Sequence, residues 1–279
     1  MRATIYFILF LFTIKSNSLA QESTFFDEVK KLQVNTQIPN EIAEKHLGAT
    51  RNYLGEIQPV YLRYRRVFDS LIYIIVDQHI SVGNYTNLYV IKDEVEKAYS
   101  LEWSFDQDGA NAKATSASYQ FLKDDLIEVH ISTETVADTS TYDENFNMKT
   151  GFSFHNQKTV FSDQYHYLQL LHSEVVILEP SKTISEQRKY KIASSKILNE
   201  KDIQNLSQKE LRIMRNEIFA DYGYIFKSAD MKHYFSSFEW YKPEKVAVTE
   251  EQLTAIEQLN VKYLLGKEKE IKSHDHRNN

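Results

Sequence analysis

Beyond Ala20, the longest uninterrupted apolar stretch of the chain is Leu71-Ile72-Tyr73-Ile74-Ile75-Val76. Its β-branched and aromatic side chains favour an extended backbone. A stretch of this length cannot cross a bilayer as a helix, which needs about 20 residues. The stretch therefore predicts a β-strand, which we extend to His79.

On both sides of this strand, from about residue 59 to residue 179, apolar and polar residues alternate with the two-residue period of a half-buried strand. Turn-forming residues such as Lys123-Asp124-Asp125 separate the segments, and no helical pattern lies between them. Such strands are joined by hairpins and run antiparallel. Seven further strands are predicted at Asn87–Lys92, Ala98–Ser104, Ala112–Phe121, Leu126–Thr135, Asn145–Phe154, Thr159–Phe161 and Tyr167–Leu178. Together they form an antiparallel β-meander, either a curved sheet or a partial barrel.

The first twenty residues have the pattern of a secretory signal peptide. Arg2 precedes the apolar segment from Ile5 to Ile14, and small residues follow up to Ala20. We expect cleavage between Ala20 and Gln21 and a secreted or periplasmic protein that does not span the membrane. The alternative is an uncleaved anchor or a buried helix.

The composition excludes several classes of chemistry. The chain has no cysteine, which excludes a disulfide scaffold, a thiolate zinc site, an iron–sulfur cluster, a cysteine nucleophile and a lipid-modified cysteine anchor. With 33 Lys+Arg against 39 Asp+Glu, the net charge of −6 argues against a nucleic-acid partner. Basic and acidic residues balance from Ser194 onward, so the excess acid lies before that residue.

The change in charge at Ser194 coincides with a change from strand to helix periodicity, and it predicts a domain boundary. The predicted fold class is α+β, a β-meander followed by a small, mainly helical domain. The predicted divisions are a signal peptide at 1–20, a helical or irregular lead-in at 21–58, the meander at 59–193, the small domain at 194–269 and a polar tail at 270–279.

Recognisable catalytic and metal-binding patterns are missing from the sequence. The chain contains no G-x-S-x-G, H-E-x-x-H or Gly-rich phosphate loop. Asp106-Gln107-Asp108-Gly109 begins like a calcium loop, but the twelfth position is Ala117, so an Asp-Gly turn explains it better. His155, His166 and His172 lie close in sequence without the spacing of a helical metal pair. We predict no metal and no cofactor.

Aromatic residues recur at even spacing within several predicted strands. One interpretation is a groove lined by Tyr89, Trp103 and Tyr119, which would hold an apolar ligand or a sugar. The other is that these rings fill the core of the sheet, because cross-strand aromatic pairs stabilise sheets.

Beyond Ser194 the sequence carries helix-start signals and an ordered motif. Ser207-Gln208-Lys209-Glu210 and Thr249-Glu250-Glu251-Gln252 have the form of capping boxes. Between them lie Leu211-Arg212-Ile213-Met214-Arg215-Asn216-Glu217-Ile218-Phe219-Ala220, then Gly223-Tyr224-Ile225-Phe226, and then Trp240-Tyr241-Lys242-Pro243.

In these residues the segment from about Ser194 to Lys269 resembles the YARHG domain, a family placed in an extracellular setting. The resemblance implies an envelope or extracellular location and no particular reaction. The family's Arg-His pair before the glycine is here Asp221-Tyr222, so a role that needs that cation or imidazole is not carried over. The residues that are either structural or ligand-contacting are Arg212, Arg215, Asn216, Glu217, Gly223, Tyr224, Phe226, Trp240 and Tyr241.

From the sequence we expect a non-enzymatic binding or interaction protein of the bacterial cell envelope. Its expected partner is an envelope component or another exported protein. Two alternatives remain open: a periplasmic hydrolase that uses His and Asp/Glu side chains of the sheet, and a β-barrel carrier for an apolar ligand.

Overall fold

The computed structural model describes residues 24–80, 83–107, 111–138, 157–182 and 184–275. The chain divides into two compact units, one up to Val176 and one from Ile177 onward. The predicted signal peptide and the predicted strand Asn145–Phe154 lie outside the described residues.

The N-terminal unit is built on an antiparallel sheet whose nine strands are ordered as they occur along the chain. In the described residues the two end strands do not pair with each other, so the meander is a curved sheet that is not closed. Two short helices accompany it: α1 (Phe25–Lys31) precedes the first strand, and α2 (Asn40–Leu47) lies between the first and second strands. The strands are β1 (Thr36–Gln37), β2 (Val60–Val67), β3 (Ile72–Ile80), β4 (Gly83–Ile91), β5 (Val95–Gln107), β6 (Asn111–Lys123), β7 (Leu126–Asp138), β8 (Gln157–Leu170) and β9 (Val175–Leu178).

Both faces of β3 are buried, and every residue of Leu71–Val76 is at most 1% exposed. Ile72, Ile74 and Val76 pack on one face with side chains of α1 and α2. The alternate residues Leu71, Tyr73 and Ile75 pack on the other face with residues of β5 to β8. A strand covered on both sides has no solvent face, so its sequence is continuously apolar instead of alternating.

The second face is buried because the sheet curls back on itself. The first half of β5 pairs with β4 and its second half pairs with β6, with irregular register where the pairing changes. The curl brings the Tyr64 ring of β2 within 4.9 Å of the Phe121 ring of β6. It also lets the Tyr73 hydroxyl donate to the Leu171 carbonyl at 2.6 Å. The concave face is therefore filled with side chains at this end.

Several strand boundaries differ from those predicted. The strand β2 was not predicted separately, because its sequence VYLRYRRV carries three arginines on a short run. The predicted strand Thr159–Phe161 is part of the longer β8. The predicted strand Tyr167–Leu178 is the end of β8 and the whole of β9, separated by a turn that the Leu171 amide closes on the Glu174 carbonyl.

The C-terminal unit is mainly helical, as predicted. Its helices are α3 (Glu200–Ile203), α4 (Gln208–Asp221), α5 (Ala229–Ser236) and α6 (Ala255–Asp275). The capping box of Ser207 and Glu210 opens α4. Thr249 and Gln252 cap only a single turn of 3₁₀ helix, and α6 begins after Thr254, which forms reciprocal hydrogen bonds with Glu257.

Two limits of this unit differ from the predicted divisions. The unit boundary falls within β9, and residues 179–193, which were predicted to belong to the meander, lie in the second unit. Residues 270–275, predicted as a polar tail, are the last part of α6. Charge and periodicity indicate where the helices begin, and they do not detect the turns and the 3₁₀ helix that precede them in this unit.

The buried tyrosines of the sheet predict a loss of stability in alkali. Burial raises the pKa of Tyr73 to about 12 and that of Tyr89 to about 12, from a usual value of 10.0. The unfolded chain therefore loses these protons before the folded chain does, and the free energy of unfolding falls as the pH rises above about 10. Tyrosinate absorbance and far-UV circular dichroism, recorded together, should show the last tyrosines ionising as the sheet unfolds. Ionisation of all tyrosines near pH 10 with the sheet intact would contradict this.

Candidate functional site

A group of polar residues lies at one end of the concave face, where β3 and β4 pass beyond the apolar core. Asp77 of β3 is the register partner of Thr86 of β4. Arg63 Nε donates to Asp77 Oδ2 at 2.5 Å. The Thr86 hydroxyl donates to Asp77 Oδ1 at 2.9 Å and lies 3.3 Å from Glu102 Oε2. These contacts hold two carboxylates around one hydroxyl, with one guanidinium beside them.

Two aromatic side chains lie on the same face of the neighbouring strands. Trp103 of β5 is paired with Ala117 of β6, and Tyr119 follows two residues later on the same face. Both rings are half-buried against the concave core. Burial raises the pKa of Tyr119, and the charges of Asp77 and Glu102 raise it further, whereas Arg63 opposes them. The Tyr119 hydroxyl is therefore close enough to sense both carboxylates.

We name this group the acidic–aromatic cluster, and it comprises Arg63, Asp77, Thr86, Glu102, Trp103 and Tyr119. The side chain of Arg63 is 39% exposed and that of Asp77 is 24% exposed, so solvent reaches the cluster. Two carboxylates against one guanidinium leave it with net negative charge. Such a site suits a neutral ligand rich in hydroxyl groups or a cationic ligand.

The predicted aromatic groove is corrected in one respect, because Tyr89 does not share a face with Trp103 and Tyr119. Tyr89 lies on the opposite face of the sheet among the residues that pack on α1 and α2, and its hydroxyl donates to the Leu47 carbonyl at 3.1 Å. Even spacing within a strand shows which residues share a face in that strand. Only the register between strands shows which faces coincide.

The described histidines lie at separate positions. His130 Nε2 is 2.7 Å from Asp163 Oδ1, and its ring stacks on Tyr165. His166 is on β8 opposite Val129, on the concave side, and His172 packs edge-on against Phe68. His155 lies outside the described residues. Within the described part of the chain, no three His, Asp or Glu side chains are grouped in a way that could hold a metal ion.

In the C-terminal unit, the motif residue Glu217 belongs to a buried ionic network. The side chain of Arg188 is fully buried, and its Nη1 donates to Asp221 Oδ2 at 2.6 Å. Arg188 Nε is 3.6 Å from Glu217 Oε2. The carboxylate of Glu217 also accepts from the backbone amides of Lys189 at 3.2 Å and Tyr190 at 2.8 Å. A buried charge without such partners is strongly destabilising, so this network is structural.

Asp221 and Tyr222, which replace the family's Arg-His pair, both make buried contacts. Asp221 pairs with Arg188, as above. The Tyr222 hydroxyl donates to Glu257 Oε2 at 2.7 Å, and Glu257 is completely buried. Burial and this hydrogen bond raise the pKa of Tyr222 to about 12. The two positions therefore connect α4 to the 188–190 segment and to α6.

The arginines of the motif point to different partners. Arg215 Nε donates to Glu268 Oε1 at 2.6 Å, and both side chains are largely buried, so this pair links α4 to α6. Arg212 Nη1 donates to Asp230 Oδ2 at 2.5 Å on a more exposed surface. Asn216 is buried and its Oδ1 accepts from Arg215 at 3.4 Å. The predicted triplet Arg215/Asn216/Glu217 is therefore divided between contacts on two sides of α4.

The aromatic residues of the motif form the core beside Gly223. The ring of Phe226 stacks on that of Phe235 at 4.6 Å, and the Tyr241 hydroxyl donates to the Tyr224 carbonyl at 2.7 Å. Trp240 packs edge-on against Phe235 at 6.1 Å. All of the motif residues thus have packing or hydrogen-bonding roles inside this unit.

Several residues of both sites were missed from the sequence. Arg63, Asp77, Thr86 and Glu102 belong to four different strands, β2 to β5, and only the register brings them together. Arg188 lies before the predicted boundary at Ser194. Asn260 was also missed. Its side chain accepts from the Leu198 amide and donates to the Ala193 and Lys196 carbonyls. In the sequence it is only a polar residue on the apolar side of a helix, which does not indicate these contacts.

The C-terminal unit is thus a small helical domain organised by a buried ionic network and an aromatic core. The model of the YARHG domain family matches residues 188–269, and this match begins at Arg188 itself. Searches among curated proteins and among solved structures found no match to the chain.

Replacement of Arg188 tests whether the ionic network holds this unit together. We expect Arg188→Met to lower its free energy of unfolding by about 3–5 kcal/mol, because Glu217 and Asp221 are left buried without their cation. Lys189→Met is the matched control: its ammonium is exposed, so its loss should leave the free energy of unfolding nearly unchanged. Because the chain has two tryptophans, a Trp103→Phe background lets Trp240 fluorescence report urea unfolding of this unit alone. Equal effects of the two substitutions would contradict the assignment.

Gly223 gives a second test, because its backbone and its surroundings both exclude a side chain. Its φ is +77°, and a Cβ there would lie 2.9 Å from the Lys242 carbonyl oxygen. We expect Gly223→Ala to destabilise the unit by about 2 kcal/mol or more. Gly266→Ala, in open space on α6, should instead stabilise it by about 0.5–1 kcal/mol. The same fluorescence measurement applies, and a neutral Gly223→Ala would show that the close approach is absent.

Proposed function

We propose that the chain is an exported, non-enzymatic binding protein of the bacterial cell envelope, and that its acidic–aromatic cluster binds a hydroxyl-rich glycan. The observation that carries the proposal is the convergence of two carboxylates, one guanidinium and two aromatic rings at a solvent-accessible end of the concave face. The signal-peptide pattern at residues 1–20 supports export. No helix among the described residues is long and apolar enough to cross a membrane.

The chemistry of the cluster matches a sugar ring better than a purely apolar ligand. Aromatic faces pack against the C–H groups of a ring, and carboxylate and guanidinium groups accept from and donate to its hydroxyls. At the other end of the concave face, Leu88, Leu101, Val129 and Leu168 already pack against one another. An apolar carrier would have to displace these side chains.

The hydrolase alternative has less support. That interpretation requires histidines to converge with several carboxylates in one pocket, whereas His130 meets the single carboxylate of Asp163 and His172 packs against the ring of Phe68. The acidic–aromatic cluster contains carboxylates, but Asp77 is held by Arg63 and Thr86. The cluster is therefore better suited to hold a ligand than to transfer protons.

The C-terminal domain supplies a second contact in this proposal, to an envelope component or to another exported protein. Its motif residues are occupied within the domain, so the contact would involve its exposed surface instead of the motif. The YARHG family match is consistent with such a setting and specifies no ligand.

Tryptophan fluorescence tests the glycan site directly. In a Trp240→Phe background Trp103 is the single tryptophan, so its emission reports the cluster. We expect soluble peptidoglycan fragments or other envelope oligosaccharides to change this emission saturably. Glu102→Gln should weaken binding about tenfold or more, because a charged hydrogen-bond acceptor is lost.

Tyr53→Ala is the matched control for this titration. Tyr53 is an aromatic residue that is 92% exposed and lies between α2 and β2, outside the acidic–aromatic cluster. Its loss should therefore leave the affinity for the oligosaccharide unchanged. Absence of a saturable signal with every oligosaccharide, or equal loss of affinity in Tyr53→Ala and Glu102→Gln, would rule out the cluster as the glycan site.

A further inference from the structure

The strand β5 contains a bulge that turns Glu102 into the acidic–aromatic cluster. The register of β4 and β5 shifts between Thr86 and Asn87: their partners are Glu102 and Ser100, and Leu101 is the extra residue. An extra residue interrupts the alternation of side chains along a strand, and bulges redirect side chains beside functional sites. Glu102 therefore lies on the same side of the sheet as Thr86, and its carboxylate reaches the Thr86 hydroxyl.

The Thr86 hydroxyl cannot satisfy both carboxylates of the cluster. Thr86 is 3% exposed, and its hydroxyl oxygen lies 2.9 Å from Asp77 Oδ1 and 3.3 Å from Glu102 Oε2. A hydroxyl has a single proton to donate. The shorter contact, to Asp77, takes that proton. The carboxylate of Glu102 is therefore held in the cluster with one hydrogen-bond donor too few.

Glu102 is also the carboxylate of the cluster without a cation. Asp77 Oδ2 accepts from Arg63 Nε at 2.5 Å. Glu102 forms no ion pair with any Lys, Arg or His that the structure describes, and its side chain is exposed. The net negative charge of the cluster is therefore located at Glu102, where a ligand can reach it.

Two aromatic rings lie next to this unpaired carboxylate. Trp103 is the following residue of β5, and Tyr119 lies on the same face as Trp103; both are half-buried. The face of an aromatic ring attracts a cation, and it also packs against the C–H groups of a sugar. A ligand that combines a sugar ring with a cationic hydrogen-bond donor would use all three side chains.

An ammonium group fits Glu102 better than a metal ion or a hydroxyl. It brings three N–H donors and a positive charge, and hydrogen bonds between charged groups are stronger than those of neutral groups. A hydroxyl brings a donor and leaves the charge uncompensated. No three His, Asp or Glu side chains in the described segments are grouped so that they could hold a metal ion.

We propose that the preferred ligand of the cluster is a glycan with an unacetylated amino sugar, whose ammonium group donates to Glu102. This assignment rests on the proposed glycan-binding function of the same cluster. The ring of the amino sugar packs on Trp103, and Arg63 and Thr86 occupy Asp77, so the ammonium is directed to Glu102. Acetylation of the nitrogen leaves one N–H and removes the charge, so the acetylated sugar leaves Glu102 uncompensated.

Two chito-oligosaccharides of equal length test this assignment, one of glucosamine and one of N-acetylglucosamine. They differ only at the nitrogen. In the Trp240→Phe background, titrations followed by Trp103 emission give both affinities. At a pH where the amine is protonated, we expect the glucosamine form to bind about three- to tenfold more tightly.

Glu102→Gln should remove this preference, because the loss of affinity falls mainly on the glucosamine form. Glu134→Gln is the matched control, since it makes the same chemical change at an exposed carboxylate. Glu134 lies on β7, five residues beyond Val129, and strand alternation places it on the opposite face of the sheet. The preference for glucosamine should persist in Glu134→Gln, which excludes an effect of net charge alone.

The outcomes separate this inference from the function on which it rests. Equal affinities for the two oligosaccharides, a preference that survives Glu102→Gln, or one that Glu134→Gln also removes would overturn the amino-sugar assignment and leave the glycan site in place. If neither these nor other envelope oligosaccharides give a saturable signal, the glycan-binding function fails, and the assignment fails with it.

Discussion

The burial of both faces of Leu71–Val76 is the constraint on which the N-terminal unit depends. One face requires α1 and α2, and the other requires the sheet to curl until β5 to β8 cover it. With no disulfide available, apolar burial of this kind is the main source of stability. The same strand continues directly from Val76 to Asp77, so the element that organises the core also fixes one carboxylate of the acidic–aromatic cluster.

The C-terminal unit depends on a different constraint, which is the neutralisation of buried acid. Glu217 and Asp221 lie one turn apart on α4, where two like charges destabilise each other. Arg188 compensates both, and it comes from the turns that precede the helices. Asp221 and Tyr222 are thus both held by buried partners within the unit. The YARHG family model matches residues 188–269, so these contacts lie inside the matched segment.

The sequence was informative wherever one local pattern determines structure. The meander, the helical C-terminal region, the Ser207 capping box and the apolar strand before His79 are all local patterns, and each was predicted. The two faces of the sheet are set by non-local register, so Tyr89 was grouped with the wrong aromatics and the set around Asp77 was missed. Arg188 was missed for a related reason: its partners are about 30 residues away, and nothing near it in the sequence indicates burial.

Native-state hydrogen exchange tests the central claim, that β3 is the organising strand of the N-terminal unit. Its amides bond to β2 and β4 on either side, and its side chains are covered on both faces. The amides of Ile72–Val76 should therefore be the slowest of this unit and exchange only on global unfolding. Exchange of these amides as fast as those of the edge strands would contradict the account, because the strand would then open without the sheet unfolding.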